Sequence, residues 1–418
     1  MQEREGHQIT KASTTLGAPS LGVIAFCFWI LMGACFSLGF AVAEPAFRMV
    51  LVPVVLVWAV LGPFAMSYFF VDLSTILSNF GGHEMALKVA RVGITVDESI
   101  TPLIHLFGIH ESPLVVLNLM NEGNALMRLN RFQEACARFE LAVDKAQAAL
   151  GWEHNLTQIV VGQHAGALLC IGKFNQAEAC FKRSIAATAV KLEHLDDDDD
   201  PDEEFQIVLV LALDRFGLGS LFLKESKFVQ AEAQFEQAIK LLEERVEEDT
   251  DVLADNLNAL GELYVRTGRL DEARVLLERA LRIRQQIFPR THIAIACSYQ
   301  SFGYLYLEQK NFYDAKRYLA DASKLKLDFL GEQHPEVAEL YRAQGELELE
   351  LRNAAKAEEL LNKAHKILSE KFESHPELAC VLDSLAALHS SVGNDSEADR
   401  CQMRAAEIRR LIYNGFSA

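Results

Sequence analysis

Several features of enzymes and of disulfide-rich extracellular domains are missing from this sequence of 418 residues. It has no Cys-x-x-Cys pair, so its eight cysteines predict free thiols in a reducing compartment rather than a zinc motif or a disulfide framework. It also has no phosphate-binding glycine loop, no dinucleotide-binding fingerprint, and no metalloprotease or serine-hydrolase motif. The sequence therefore predicts no catalytic residue, cofactor or metal site, and no enzymatic activity.

Positive charge is scarce as well. The chain has 40 lysine and arginine residues against 58 aspartate and glutamate residues, which gives a net charge of −18. A nucleic-acid-binding protein needs a basic face for the phosphates. We therefore expect no nucleic-acid partner.

The only low-complexity segment is acidic. Asp196–Asp200 is followed by a proline and three more acidic residues, in a 12-residue insertion near residues 194–205. Because like charges repel, this segment predicts a solvated loop. Docking of a basic partner segment and weak calcium binding are the functional alternatives, and calcium is the poorer one because no EF-hand spacing is present.

Two long runs near the N-terminus lack any charged residue. Leu21–Ala43 and Met49–Val71 each contain 23 residues, enough for a helix of roughly 35 Å that crosses a bilayer. They predict a two-helix transmembrane hairpin over residues 21–71, in contact with the lipid bilayer. The alternatives are two buried helices of a soluble protein, or a signal peptide cleaved after Ala41–Ala43, although that apolar stretch is longer than signal peptides use.

Lysine and arginine predict the orientation of this hairpin. Arg4 and Lys11 precede the first run, and the short loop between the runs carries only Arg48. Lys88 and Arg91 follow the second run. Since basic residues favour the cytoplasmic side, both termini are predicted to be cytoplasmic. The predicted segments are a cytoplasmic tail (1–20), the hairpin (21–71), a helical connector (72–114), a repeat array (115–412) and a C-terminal tail (413–418). Within the connector, His83–Val96 is either helix B of a degenerate repeat or an amphipathic helix that lies on the bilayer.

An alanine recurs in one sequence phase through the array. Its spacing is 42 residues, except for one gap of 54 and a last gap of 41, at Ala135, Ala177, Ala231, Ala273, Ala315, Ala357 and Ala398. A small residue stands twelve positions before each alanine and another seven positions after it. A fixed period of this size predicts stacked units of two helices, A and B, which pack closely at the small residues.

The pattern resembles the tetratricopeptide repeat, and its 42-residue period resembles the repeats of kinesin light chains. TDVLADNLNALGELYVRTGRLDEARVLLERALRIRQQ, from Thr250, and GEQHPEVAELYRAQGELELELRNAAKAEELLNKAHKIL, from Gly331, carry the resemblance best. It implies an all-α fold, a right-handed superhelical solenoid of about seven repeats. It also implies binding to other proteins, but names no partner.

In this family helix A lines a concave groove, so the resemblance assigns groove positions by phase. They are Asp255, Asn258, Glu262, Arg266, Gln300, Tyr304, Glu308, Glu339, Arg342, Glu346 and Glu350. Acidic residues outnumber arginines here, which favours a protein or peptide partner of basic or mixed charge; a merely solvated face is the alternative. The lysine and asparagine positions with which some relatives clamp a C-terminal carboxylate hold Met120 and Gly162, so a chaperone-tail receptor is not expected.

Four histidines share one phase of the repeat. His154, His292, His334 and His375 each stand 23 residues before the alanine of their unit. Equivalent positions of a solenoid lie one repeat apart and need not converge on a metal ion. They therefore predict a structural role in the turn where the next helix A begins.

Two functional classes remain open. One is a non-catalytic, membrane-anchored scaffold or adaptor that binds proteins. The other is a regulatory or assembly subunit of a multi-protein membrane complex. Both place the hairpin in the cell membrane and the array in the cytoplasm, and both leave self-association open.

Overall fold

The computed structural model describes residues 67–78, 82–105, 113–195, 201–246, 248–372 and 375–414. Within these residues the regular structure is helical and no strand occurs, which confirms the predicted all-α class. The predicted hairpin lies outside the described residues except for its last five, and Asp196–Asp200 also lies outside them.

Residues 67–78 form helix α1. The helices that follow are α2 (His83–His105), α3 (Pro113–Arg128), α4 (Phe132–Leu150), α5 (Asn155–Cys170), α6 (Phe174–Glu193), α7 (Pro201–Lys224), α8 (Phe228–Arg245), α9 (Asp251–Arg266), α10 (Leu270–Ile287), α11 (Ile293–Glu308), α12 (Phe312–Leu330), α13 (Pro335–Glu350), α14 (Ala354–Ser369), α15 (Pro376–Ser391) and α16 (Asp395–Asn414). From α3 onward, each odd-numbered helix is helix A of one predicted unit and the next helix is its helix B. These units are repeats 1 to 7.

The chain divides into two compact units, Met1–Val160 and Val161–Ala418. In the first unit α3 and α4 enclose an apolar core that includes the buried residues Leu119 and Ala142. In the second unit one core cluster joins repeats 3 and 4, with Leu242 and Ile283 among its buried members. The described cysteines carry free thiols.

The phased small residues lie where helix A meets helix B of the same repeat. Ala273 is completely buried, and an added Cβ on Gly261 would lie 2.7 Å from Leu277 Cδ2. The same relation joins Gly219 to Phe235, where the distance to Phe235 Cε1 would be 2.6 Å. The bulky side chain four residues after the alanine therefore packs directly against the glycine, as the predicted register requires.

The segment predicted as a connector (72–114) contains a further A–B pair. Ser74, Ala86 and Gly93 reproduce the spacing of a small residue, an alanine and a second small residue. Ser74 Oγ donates to the Ala86 carbonyl oxygen at 3.0 Å, and Leu87 and Ala90 are buried. Helix α2 also packs against α3. Helices α1 and α2 therefore form a degenerate repeat, and the repeat packing begins near residue 67 instead of 115.

The end of the second predicted span needs a correction. Residues 67–71 belong to α1 and contact α3 through polar groups. Asn118 Nδ2 donates to Ser67 Oγ at 3.2 Å, and Asn121 Nδ2 donates to the Val71 carbonyl oxygen at 3.0 Å. Ser67 is fully buried. Because these residues pack on the protein, a span that faces lipid must end before Ser67.

The acidic insertion is partly helical. Helix α7 begins at Pro201, where proline suits the first helical turn. Glu203 lies 2.7 Å from Lys191 and Glu204 lies 2.8 Å from Arg245, and acidic residues in a first turn also favour the helix dipole. The prediction of a loop over residues 194–205 is therefore wrong for residues 201–205.

One described helix, α7, is long and apolar enough to cross a membrane by length and composition. Most of its apolar stretch is buried inside the protein; Ile207, Val208 and Leu211 contribute to the core. The core helix of a soluble protein can have the same length and apolar composition, so this finding is weak evidence for a membrane span.

The four phased histidines cap the helices that follow them. His154 Nδ1 accepts from the Leu156 amide at 3.1 Å, and His334 Nδ1 accepts from the Glu336 amide at 3.1 Å. His292 and His375 make the same contact at 3.3 and 3.2 Å. Each imidazole thus satisfies a backbone N–H that the helix start would leave unpaired. This arrangement confirms the predicted structural role.

Candidate groove on the helix A face

Helix A lines the inner side of the second unit. Each helix A from α7 to α13 contacts helix A of the next repeat, whereas successive B helices of the described residues show no comparable contact. A stack whose A helices lie closer together than its B helices curves toward the A side. The phased polar residues of α9, α11 and α13 therefore lie on a concave face, called the groove below.

The groove residues of repeat 4 form a hydrogen-bond network with repeat 5. Asn258 is 6% exposed, and its Nδ2 donates to Glu262 Oε1 and to Ser301 Oγ, both at 2.9 Å. Ser301 Oγ lies 2.5 Å from Glu262 Oε1, to which it donates. These bonds hold α9 against α11 and fix the orientation of the Glu262 carboxylate.

A basic side chain from helix B completes this network. Arg284 of α10 is 4% exposed and donates to Asp255 Oδ1 at 2.6 Å. It also donates to Ser298 Oγ at 2.7 Å and to Asn258 Oδ1 at 3.3 Å. Burial raises the pKa of Asp255, and the charge of Arg284 opposes that rise. Asp255 is therefore already paired within the protein.

Lys326 has the equivalent role in repeat 5. It is 3% exposed, and its Nζ donates to Gln300 Oε1 at 2.7 Å and to Glu336 Oε2 at 2.9 Å. Gln300 Nε2 donates to Tyr304 Oη at 2.9 Å. Burial raises the pKa of Tyr304.

These helix B cations share one phase, eleven residues after the repeat alanine. Arg284 and Lys326 occupy it in repeats 4 and 5, and Arg409 occupies it in repeat 7. Arg409 forms a two-pronged ion pair with Asp383 on helix A of its own repeat. The sequence reasoning missed all three because it assigned the groove to helix A alone. The recurring basic residue was the signal that could have found them.

Arg342 joins repeats 6 and 7. Its Nη1 donates to Glu346 Oε1 at 2.7 Å, and its Nε lies 3.5 Å from Glu377 Oε2. Ser384 Oγ of repeat 7 also donates to Glu346 Oε1 at 2.7 Å. Burial acts to lower the pKa of Arg342, but Glu346 and Glu377 raise it well above its usual value. Arg342 therefore remains charged.

Three of the predicted groove residues are exposed instead. Arg266, Glu308 and Glu350 stand seven residues before the alanine of repeats 4, 5 and 6. Arg266 Nη1 donates to the Leu223 carbonyl oxygen at 3.2 Å. Glu308 and Glu350 form no hydrogen bond or salt bridge with any residue in the described part of the chain. This exposed row is the part of the predicted site that is open to a partner.

Charges also act across the groove. Burial lowers the pKa of Lys224, at the end of α7, but Glu339 and Glu377 raise it above its usual value. Burial raises the pKa of Glu339 to about 7, and the neighbouring charge of Glu377 adds to that rise.

The structure thus divides the predicted site. Seven of its residues belong to the internal networks, and Arg266, Glu308 and Glu350 form the exposed row. Glu339, the eleventh, forms no hydrogen bond or salt bridge with any described residue. The predicted excess of acidic charge is largely offset by Lys224, Arg284 and Lys326, which weakens the argument for a purely basic partner. A binding role for these residues stays a prediction.

Residues 209–286 and 294–370 match the family model of the tetratricopeptide repeat. The fold is similar to aspartyl phosphate phosphatase F from Bacillus subtilis, with a TM-score of 0.58, 11% identity, and coverage of 88% of this chain and 89% of that one. The Rap conjugation gene regulator of plasmid pLS20, in complex with the Phr* peptide, matches with a TM-score of 0.56, 10% identity, and coverage of 85% and 97%.

A putative kinesin light chain from Podosopora anserina matches with a TM-score of 0.39, 16% identity, and coverage of 52% and 97%, which is too distant to bear on the fold. A search of curated protein sequences finds no significant match. The chain therefore contains tetratricopeptide repeats in an α-helical solenoid fold.

Proposed function

We propose that this chain is a membrane-anchored, non-catalytic scaffold whose groove binds a segment of another protein. The main observation in support is that cationic side chains of helix B extend into the groove and form hydrogen bonds with its polar side chains. A merely solvated face has no need to bury Arg284 and Lys326 at 4% and 3% exposure. Polar groups fixed before a partner arrives reduce the entropy that binding must overcome.

The structural neighbours support a peptide ligand without deciding it. The Rap regulator of pLS20 is seen with the Phr* peptide, whereas phosphatase F is named for an activity. Since one solenoid fold serves both kinds of function, the function of this chain has to be inferred from the residues of its own groove. In this chain many of the groove charges are engaged in ion pairs and hydrogen bonds, either within one repeat or between neighbouring repeats, which favours a binding surface over a reacting centre.

A partner of mixed charge best fits the line of groove residues formed by Lys224 and the exposed row. Lys224 and Arg266 supply positive charge in repeats 3 and 4, and Glu308 and Glu350 supply negative charge in repeats 5 and 6. All four stand seven residues before their repeat alanine, so the sign changes along one line of the groove. Complementary charges on a partner would set its direction and speed its encounter.

The anchor is proposed to be the two uncharged runs, with the second shortened to residues 49–66. This stretch would still extend about 27 Å as a helix, close to the hydrocarbon thickness. Because α1 begins the repeat packing at residue 67, the array would start directly at the membrane surface. The excess of basic residues outside the hairpin supports a cytoplasmic array.

Membership of a larger membrane complex is the second candidate function. The two runs would then pack with spans of other subunits, and the array would be a regulatory arm. Purification in mild detergent separates the two. A defined complex of fixed stoichiometry favours the subunit, and a monomer or small homo-oligomer that binds separate partners favours the scaffold.

The groove assignment is tested by site-specific photo-crosslinking in the full-length chain. A crosslinking residue at Glu308 or Glu350 should yield a discrete partner adduct. The same residue at Glu244 or Glu359, which are about 60% exposed on helix B, should not. Glu308→Lys combined with Glu350→Lys should reduce the adduct of a crosslinker placed at Arg266, and unchanged adducts would show that the partner binds elsewhere.

A further inference from the structure

A cleft opens on the helix B side of the solenoid, between α10 of repeat 4 and α12 of repeat 5. In the described part of the chain these successive B helices do not pack on one another as the A helices do, and α11 forms the floor between them. The cleft has two adjoining lobes of about 360 and 280 Å³, which share Leu281, Gln285 and Tyr318. None of its lining residues belongs to the groove. We call it the aromatic cleft.

Four aromatic side chains of repeat 5 meet in the aromatic cleft. They are Tyr299, Phe302 and Tyr306 of α11 and Tyr318 of α12. The Tyr318 ring stacks on Phe302 with 5.3 Å between the centroids and on Tyr306 with 5.4 Å. Tyr299 meets Tyr318 edge to face at 5.7 Å. At the same distances from its alanine, each of the other six repeats has at most one phenylalanine or tyrosine, so packing of the solenoid does not require this concentration of rings.

The rings are held in position before a partner arrives. The guanidinium carbon of Arg317 lies 4.8 Å from the Tyr318 centroid, and that of Arg274 lies 5.5 Å from the Tyr306 centroid. Both distances are within the range of a cation–π contact. Phe302 is 3% exposed, whereas the three tyrosines of the cleft are half-buried. An aromatic surface that is already ordered loses little conformational entropy when a partner binds.

The polar groups of the aromatic cleft can donate hydrogen bonds to backbone carbonyl oxygens. Within the described residues, no hydrogen bond is formed by the side-chain hydroxyls of Tyr299, Tyr306 and Tyr318 or by the amide of Gln285. A polyproline II helix has no internal hydrogen bonds and leaves its carbonyl oxygens available, whereas an α-helix pairs most of its own. Proline-rich segments also bind to aromatic-lined grooves. The cleft therefore fits a polyproline II segment better than a helix.

The charges at the rim indicate a partner with a basic residue. Glu278 and Arg282 stand one helical turn apart on α10 and balance each other at the larger lobe. At the smaller lobe, Arg317 is paired with Asp314 at 3.4 Å. Asp321 has no partner among the described residues, so one negative charge stays uncompensated at this lobe. A lysine or arginine beside the prolines of a partner complements that charge.

We propose that the aromatic cleft binds a proline-rich segment of another protein, in the polyproline II conformation and with a basic residue at one end. Proline rings pack against the aromatic side chains on both sides of Tyr318. The tyrosine hydroxyls and Gln285 donate to carbonyl oxygens of the segment, and Asp321 binds the basic side chain. This surface is separate from the groove, so it adds a second binding site to the chain and does not depend on the function of the groove.

The test is selection of phage-displayed random dodecapeptides on the full-length chain in detergent. The native chain should enrich peptides with several prolines and a neighbouring lysine or arginine. Tyr318→Leu introduces the residue type that repeats 4 and 6 have at this position, and it should abolish the enrichment of proline. Asp321→Asn should keep the prolines and remove the preference for a basic residue. For a synthetic peptide taken from the native selection, Tyr318→Leu should weaken binding at least tenfold, which corresponds to about 1.4 kcal/mol.

Matched controls change the same residue types outside the two lobes. Tyr341→Leu replaces a half-buried tyrosine of repeat 6, and Asp328→Asn replaces an exposed aspartate of α12. Both should select the same peptides as the native chain. Gln285→Glu provides a second test if Tyr318→Leu lowers the unfolding temperature. Gln285 is exposed, so its replacement leaves the core intact, and loss of its N–H donor should weaken the selected peptide several-fold.

The outcomes separate the aromatic cleft from the groove. A native selection without enrichment of proline overturns the inference, and so does enrichment that persists in both Tyr318→Leu and Gln285→Glu. Enrichment of basic residues alone, lost in Asp321→Asn but kept in Tyr318→Leu, shows a simple charge contact and also overturns it. Glu308→Lys combined with Glu350→Lys alters only the groove and should leave the selection of proline unchanged. Loss of proline selection in that double variant would place the peptides in the groove instead.

Discussion

Gly303 lies directly under Leu319 in repeat 5. A Cβ added to Gly303 would lie 2.5 Å from Leu319 Cδ2 and 2.7 Å from its Cγ. Leu319 is completely buried, so it has no free space into which to move. The pair is one instance of a contact that recurs between helices A and B, sixteen residues apart, in most of the repeats.

Gly303→Ala is therefore expected to destabilise the protein. Alanine gains up to about 1 kcal/mol over glycine in a helix interior, but overpacking a filled core costs about 1–3 kcal/mol. We expect a net loss of about 1 kcal/mol in the free energy of unfolding. Gly166→Ala is the matched control, because no atom lies within 4 Å of its added Cβ. Urea unfolding should show a lower free energy of unfolding for Gly303→Ala and a higher one for Gly166→Ala. Equal changes in the two variants would contradict the packing register.

The same regularity determined how much the sequence could predict. Packing of helix A on helix B depends on small residues in one phase, so the repeat boundaries could be found from spacing alone. For the pair formed by α1 and α2, the sequence offered helix B of a degenerate repeat only as one of two alternatives. The spacing could not decide between them, because Ala90 replaces the bulky residue and Ala86 precedes Ala135 by 49 residues, not 42.

The candidate site was less predictable, for a physical reason. Phase tells which residues face the groove, but not which of them a neighbouring repeat neutralises. Arg284 stands at a position that is Leu242 in repeat 3 and Leu368 in repeat 6, so by pattern it belongs to the core. Only the three-dimensional structure shows its guanidinium reaching Asp255. The sequence therefore overestimated the free acidic charge.

The buried carboxyl group of Asp214 predicts that the stability of the protein depends on pH. It is 3% exposed, and Ser184 Oγ donates to it at 2.5 Å. Burial raises the pKa of Asp214 from 3.8 to about 7. The folded state then holds a proton that the unfolded state loses above about pH 4, so this group makes the protein less stable as the pH rises from 4 to 7.

Asp214→Asn is expected to remove that dependence while keeping an oxygen for Ser184. Relative to the native chain, the variant should gain stability as the pH rises from 5 to 8, by about 3 kcal/mol, since about two pH units below the folded pKa contribute about 1.4 kcal/mol each. Urea titrations at pH 5, 6, 7 and 8 measure the difference. If the free energies of unfolding of the two proteins changed with pH in parallel, Asp214 would be ionised in the folded state over this pH range.

His375 should show the opposite dependence. Burial lowers its pKa from 6.5 to about 4, and the charge of Lys224 adds to the effect. Its Nδ1 must stay unprotonated to accept from the Glu377 amide. The cap is therefore fully effective above pH 6.5, and its contribution declines as the pH falls toward 4.

His375→Ala should cost about 1 kcal/mol at pH 7.5, the usual effect of a lost N-cap. His375→Asn, which keeps an acceptor that does not titrate, should restore most of it. The advantage of the native chain over the alanine variant should shrink between pH 6.5 and pH 4. Thermal unfolding at several pH values measures this, and an advantage that grows in acid would contradict the capping role.

The proposed anchor can be separated from the array at a defined boundary. A chain that begins at Ser67 keeps α1 and should be a helical protein that needs no detergent. A chain that begins at residue 79 loses α1 and with it the bonds from Asn118 and Asn121, so it should unfold at a lower temperature. A native full-length chain that stays soluble without detergent would refute the anchor.

The predicted cytoplasmic array is tested by thiol labelling in intact cells. Cys297 is a poor reporter because it is only partly accessible and burial raises the pKa of its thiol, and the thiolate is the species that reacts. Tyr313 is 80% exposed in helix α12, so Tyr313→Cys places a reactive thiol on the outer surface. An impermeant maleimide should label it only after the cells are opened, because the membrane then no longer separates reagent and array. Cys136, which is buried, should stay unlabelled under native conditions and serves as the internal control.

Labelling of Tyr313→Cys in unbroken cells would contradict the predicted topology. It would place the array outside the cell and favour a cleaved signal peptide over the hairpin.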